Sequence, residues 1–338
     1  MKTHNNKNPK TENSMTAIII LNWNGASDTI ECIDSICQIE DDYFCTIVDN
    51  GSEDDSVESI IQHLSRKGIL HSIVERGGEQ PSTVSNHEFI VYKNGVNMGF
   101  AKGNNEAIRL ISKFRPDTYL LLNNDTIVEK DFLHSLTQFS KDHPEYKVLT
   151  PLIFYYYDKE RIWNAGGKLS CGMRQYFYNN KRVGDIIEKG HIDSTFITGC
   201  AMYFTSDLLL DDGGIFTEDF FFGEEDFNFC IKMKKKGVKM ACVLDSIIYH
   251  KVNASTRNIA MGKYYIHYLN RFIDTKKSYV WPFFILWSIP NSIYAALALI
   301  RATHDTIGVF KTLRDVNIEA WRKEKVTKED FTHALKNR

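Results

Sequence analysis

The sequence predicts an α/β protein with a mainly parallel sheet covered by helices on both faces. Three observations carry this: apolar runs alternate with amphipathic helical stretches up to Asp125, four of those runs end in short polar side chains, and the chain can bury a large core. The 338 residues are 43% hydrophobic and 25% charged, enough for one large domain with an appendage or for two ordinary domains.

Taken in order, Ala17–Leu21 is wholly apolar and reads as a buried strand, and Ile30, Ile33 and Ile36 then repeat at helical spacing. Tyr43–Val48 is a second buried strand ending in Asp49-Asn50-Gly51-Ser52, and Val57, Ile60, Ile61 and Leu64 mark one face of the next helix. A polar loop from Gly77 to His87 leads to a strand at Phe89–Tyr92, a helix at Asn104–Phe114 and a strand at Tyr119–Leu122. A helix from Val128 to Phe139 follows Asp125. The second half is less regular, with strands expected near Lys147–Tyr155, Thr195–Phe204 and Lys239–Ile248 and a helix from about Asp226 to Lys236. No internal repeat is present.

Ligands of open α/β sheets bind beyond the carboxyl ends of strands. That rule selects Asn22 and Asn24, Asp49 and Asn50, Asn97 and Gly99, and Asp125 as a nucleotide-pocket pattern, although Asn, Asp and Gly also simply make turns there. Asp125 suits a hard divalent cation, which takes one or two protein carboxylates and completes its shell with phosphate and water; it equally suits a helix cap. Phe220-Phe221-Phe222-Gly223-Glu224-Glu225-Asp226 sets three carboxylates after three aromatics. Acid residues at a helix start are favoured by its dipole, yet an aromatic wall beside a desolvated carboxylate also suits sugar binding and a general base. His250 follows a strand-like run and could complete a metal site with Asp125 or serve a structural purpose.

The formal net charge of -2 gives no general attraction to polyanions, so nucleic-acid binding is not expected. Seven cysteines, odd in number and without a CxxC pair, suit reduced thiols in the cytosol, and the polar Met1–Ser14 lacks an apolar signal-peptide core and reads as a flexible tail. Ser278–Ile300 carries no charged residue. Its length could just span a bilayer, but Pro282 and Pro290 argue against one straight span, and the flanking Lys276, Lys277, Arg301, Lys311 and Arg314 with interfacial aromatics better suit helices lying in the membrane surface.

Together these pieces resemble the inverting family 2 glycosyltransferases of the GT-A fold, especially rhamnosyltransferase-like members of bacterial surface-polysaccharide pathways. The resemblance rests on Ile19–Gly25, Val48–Ser52 with Asp54, Asn97–Asn105, Leu121–Asp125, Thr198–Met202, Phe222–Cys230, His250 with Ser255, Tyr264-Tyr265 and Asn270-Arg271, in order over residues 16–277. It departs at Asn123, where the family's first motif aspartate stands, and at Leu269, where relatives often carry Arg. No GxGxxG follows Ala17–Leu21, which disfavours a Rossmann-type dehydrogenase.

The resemblance implies a Rossmann-like nucleotide-binding mixed sheet flanked by helices at 16–277, after a tail at 1–15 and before a hydrophobic, amphipathic, membrane-associating helical segment at 278–338. It implies that Asp49 contacts the base or ribose, with Leu21 and Asn22 walling the base and Asn24, Asn97, Gly99, Lys102, Asn123 and Asn124 completing the donor site. Asp125 and His250 would hold Mn²⁺ or Mg²⁺ on the donor diphosphate, Asp226 would be the catalytic base and Glu225 would orient the acceptor. The expected partners are a nucleotide sugar, with dTDP-L-rhamnose favoured and a UDP-hexose or UDP-N-acetylhexosamine as the alternative, and a polyprenyl-diphosphate-linked saccharide; a non-catalytic membrane scaffold is the remaining reading, which the Asp125, Asp226 and His250 set disfavours. The expected place is the cytoplasmic face of the bacterial plasma membrane.

Overall fold

Residues 15–170, 172–252 and 261–337 are described by a computed structural model. The expected tail at Met1–Ser14, Cys171 and Ser255 lie outside the described residues.

The first half alternates as the apolar periodicity dictates: β1 (Thr16–Asn22), α1 (Ala26–Ile36), β2 (Tyr43–Asp49), α2 (Ser56–Arg66), β3 (His71–Glu75), β4 (Phe89–Lys93), α3 (Phe100–Ile111) and β5 (Thr118–Asn123). Then come β6 (Thr126–Val128), α4 (Phe132–Asp142), β7 (Tyr146–Tyr155), β8 (Asp158–Asn164), β9 (Gly167–Ser170), β10 (Met173–Tyr176), β11 (His191–Ser194) and β12 (Ala201–Thr205). The chain continues through α5 (Glu225–Lys235), β13 (Lys239–His250), α6 (Met261–Ser278), α7 (Trp281–Thr303), α8 (Thr306–Arg322) and α9 (Lys328–Asn337).

Eleven strands form one mixed sheet whose main path runs β11-β13-β7-β12-β5-β1-β2-β4-β3, with β6 on β13 and β8 on β7. The β5-β1-β2-β4-β3 half is parallel, and β12 enters antiparallel to both β5 and β7. Alternation along β1 shows why the sheet needs two helical layers. Ala17 and Ile19 join the core that contains Ala107 and Ile108 of α3 and Phe227 and Cys230 of α5, while Ile18 and Ile20 join Ile33 of α1, Ile60 of α2 and Leu136 of α4.

Several expected boundaries are corrected. β3 was not anticipated because this edge strand is largely exposed and carries no apolar run. The helix expected from Asn104 begins at Phe100, set off by Gly99 at φ 83°; a Cβ there would stand 1.8 Å from the Phe221 carbonyl oxygen. The helix expected from Val128 begins at Phe132, because Thr126–Val128 pairs antiparallel with the end of β13. The strand expected over Thr195–Phe204 is confined to Ala201–Thr205, and Thr198-Gly199-Cys200 ahead of it lines a cavity.

The two prolines do not divide the apolar C-terminal stretch. Residues 281–303 form one helix, with Pro282 in the first turn, where its missing N–H breaks no helical bond, and Pro290 inside, where it removes the donor to the Leu286 carbonyl. α6 packs against α7, α8 and α9, and one core unites Phe220 with Leu269 and Phe272 of α6, Phe284 and Trp287 of α7 and Val316 of α8.

Candidate active site

A cavity of about 400 Å³ opens where β1, β5 and β13 end and α5 begins. β6 explains one side of it. Its antiparallel register sets Thr126 opposite His250, and the Lys251 amide donates to the Asp125 carbonyl at 2.9 Å. The Asp125 carboxylate and His250 Nε2 are thereby brought to 3.2 Å. Trp163 meets the imidazole edge-on at 4.5 Å between ring centroids.

Burial opposes a charge on His250, but the Cys200 sulfur and the Asp125 carboxylate outweigh it and push the imidazole up to about 10. Burial raises the Cys200 thiol, with His250 drawing it back. A carboxylate oxygen beside an imidazole nitrogen offers two donors that a divalent cation takes. Two ligands about 2.1 Å from an octahedral ion at right angles stand about 3 Å apart, close to the separation here. Among the described residues no three His, Cys, Asp or Glu side chains gather into a metal site, so such an ion would rely on phosphate and water for the rest of its shell.

The acidic cluster forms the other side, and its three carboxylates differ. Glu224 takes the left-handed conformation (φ 72°) and turns inward, where Arg271 Nη2 donates to it at 2.9 Å. Burial would raise its carboxyl, but Arg271 and Arg174 overcome that and hold it at about 2. Glu225 is buried, lines the cavity and leaves Oε2 without a protein partner. Asp226 lines it too; its Oδ2 accepts the Gly199 amide at 3.2 Å and its Oδ1 stands 3.4 Å from Arg174 Nη1. Burial raises the Asp226 carboxyl, with Glu224 adding to the rise and Arg174 drawing it back. Burial together with the Asp226 charge likewise raises Glu225.

The remaining predicted residues build loops around this cavity. Leu21, Asn123 and Asn124 line it with Asp125. Asn22 is fully buried: its amide donates to Asp49 at 3.1 Å and its carbonyl accepts Thr29 Oγ1 at 2.7 Å. Thr29 in turn accepts from Asn124 at 3.0 Å, so Asn22 ties Asp49 to the end of β5. Asp49 also accepts the Gly51 and Ser52 amides. Asn24 is exposed and accepts the Glu53 amide at 2.8 Å. Asn97 accepts the Gly99 amide at 2.9 Å and Asn50 spans the same turn, while Lys102 lies half-buried in the first turn of α3, away from the cavity lining.

Sequence reasoning missed Arg174, Trp163 and Tyr176, and gave no role to Phe100 and Cys200 within the motifs it quoted. The last four line the cavity, and Tyr176 stacks on Phe196. No sequence signal marks Arg174, because the strand that carries it has only four residues.

The mixed sheet, covered by helices and opening into a carboxylate-lined cavity beyond its strand ends, is a GT-A-type scaffold. A family model described as "Glycosyl transferase family 2" matches residues 17–209, and one described as "Glycosyl transferase family group 2" matches residues 120–309. The chain belongs to glycosyl transferase family 2.

Solved structures agree in fold. The mannosyltransferase PcManGT from Pyrobaculum calidifontis, in complex with GDP-Man and Mn²⁺, is 15% identical with a TM-score of 0.55, over 94% of this chain and 82% of that one. S. aureus TarS 1-349 is 14% identical with a TM-score of 0.52, over 95% and 81%. GalNAc-T7 with UDP, GalNAc and Mn²⁺ is 14% identical with a TM-score of 0.56, over 97% of this chain, which spans 57% of that one. Comparison with curated proteins finds no match.

Proposed function

We propose that this glycosyltransferase moves a sugar from a nucleotide donor, with inversion, to a polyprenyl-diphosphate-linked saccharide at the cytoplasmic face of a bacterial plasma membrane, in O-antigen or capsule synthesis. The donor favoured by the resemblance is dTDP-L-rhamnose. The carrying observation is that the Asp125–His250 pair and Asp226 line one cavity. Structural neighbours solved with Mn²⁺ and a nucleotide or nucleotide sugar support a divalent ion and such a donor.

Asp125 and His250 would hold Mn²⁺ or Mg²⁺, which when bound supplies Lewis-acid neutralisation of charge on a departing diphosphate. Asp49, Asn22 and the 97–99 turn shape the nucleotide end of the site. Asp226 removes the proton from the attacking acceptor hydroxyl; burial makes its carboxylate more basic, and Arg174 draws that rise back. Glu225, with an unpartnered buried oxygen, orients an acceptor hydroxyl. Phe222 and Phe100 line the cavity beside these carboxylates and offer apolar surface to a sugar ring. One displacement at the anomeric carbon, with no enzyme nucleophile, inverts it.

The test is thermal stabilisation by a panel of dTDP-, UDP- and GDP-sugars. One donor raises the melting temperature by several degrees with Mn²⁺ and much less in excess chelator or in His250→Ala. Equal stabilisation in all three conditions would contradict the metal assignment, and stabilisation by UDP-hexoses alone would replace rhamnose as donor.

A further inference from the structure

The membrane-face reading above says nothing of which surface meets the lipid or how, and the inference that follows rests on it. α7 has two unlike faces. Its inner face buries Phe284, Trp287, Ala295, Ala296 and Leu299, packed toward α6 and α8. Its outer face leaves Trp281, Leu286, Ile289, Ile293 and Leu297 exposed, Leu286 by 74% and Trp281 by 69%. From Leu286 onward these positions recur every three or four residues and so form one stripe along the helix, with Trp281 exposed near its start. The exposed apolar surface continues at Ile307 and Phe310 in the first turns of α8.

Charge indicates the occupant. Between Lys277 and Asp305 the only charged side chain is Arg301, at the end of the stripe, and the exposed Lys311 and Arg314 follow on α8. An apolar stripe with Trp281 and Tyr294 exposed beside it and cations at one end matches the headgroup layer of an anionic bilayer.

Packing decides the orientation. At about 1.5 Å per residue the helix is long enough to cross a bilayer. Crossing would carry α8 with it, because the two helices pack side by side, and α8 bears Arg314, Asp315, Glu319 and Arg322. Lipid around those charges costs several kcal/mol for each at the centre. We propose that α7 lies in the plane of an anionic membrane, outer face down, and anchors the enzyme without crossing.

The consequence reaches the active site. Trp287, on the inner face, packs so closely over Gly172 that a Cβ there would meet its indole nitrogen at 2.7 Å, and Gly172 lies in the β9-β10 hairpin that delivers Arg174 to Asp226. The docked helix thus braces that hairpin.

The experiment is co-sedimentation of the full chain with phosphatidylcholine vesicles, with or without one-third phosphatidylglycerol, followed by washing at alkaline pH. Binding is expected to the anionic vesicles, to weaken at least tenfold from low to high salt, to be released by the alkaline wash, and to fall at least tenfold in Leu286→Glu/Ile289→Glu/Ile293→Glu. That variant should keep wild-type circular dichroism and donor-dependent thermal stabilisation, which separates failure of docking from failure of the enzymatic reading. Resistance to the wash would overturn the in-plane orientation. Equal binding by wild type and variant, no binding to either vesicle, or a dimer in ultracentrifugation that the substitutions dissolve would overturn the membrane as occupant.

Discussion

At Asp226 opposing influences set the proton affinity of the proposed base: burial and Glu224 raise it, and Arg174 at 3.4 Å lowers it. A base works only when ionised, so kcat/KM falls as pH drops through its value, and this acid limb lies above the ~3.9 of a free aspartate. Arg174→Gln removes the restraining charge and should move the limb up by about one unit or more, with partial return in Arg174→Lys. An unchanged pH profile would remove Arg174 from this role. The acidic cluster was legible in sequence because three carboxylates follow three aromatics, and the family resemblance singled out Asp226 within it. Arg174 was not, since it reaches Asp226 only through a hairpin fold 52 residues away in the chain. Asn22 shows the opposite: its place at a strand end was clear, but that it is buried and spent on Asp49 and Thr29 needed three dimensions.

Short elements do much of the positioning. β6 has three residues, yet its pairing with β13 brings Asp125 to His250. The run of apolar strands was readable from period and composition, whereas β6, β9 and β10 are too short for any period to show. The start of α5 depends on the buried Glu224–Arg271 pair that links it to α6. Glu224→Gln leaves Arg271 and Arg174 without their shared counter-charge and should cost about 3–5 kcal/mol in denaturant unfolding. Because folding holds the Glu224 carboxyl at about 2, its contribution is present above the ordinary glutamate range and is lost as pH falls toward about 2. The wild-type and variant stability curves should therefore converge in acid. A loss under 1 kcal/mol at neutral pH would show that the pair does not hold α5.

Across the whole molecule, the C-terminal helices are built into the catalytic unit. The Phe221 amide donates to the Val326 carbonyl and the Val326 amide to that of Asp219, both within 2.9 Å, and Phe331 packs on Phe221 and Phe222. The sequence marked this segment by its change in composition, which reveals an apolar stretch but not the inner face that closes the core. Ending the chain at Ser278 strips Phe284, Trp287, Val316 and Val326 from that core. At about 1.5–3 kcal/mol for each large side chain the loss approaches the ~5–15 kcal/mol that stabilises a typical domain, so the truncated chain should show no cooperative melting transition. A sharp transition within a few degrees of wild type would show that the segment is dispensable to the fold. The proposed arrangement, with Asp49 and the Asp125–His250 pair serving the donor and Asp226 as the base, comes down to what Asp226 does. Transfer to a saccharide acceptor by Asp226→Asn, measured beside calorimetric donor binding, tests this most directly: turnover should fall at least a thousandfold while donor affinity stays within a few-fold of wild type, and turnover near the wild-type rate would contradict it.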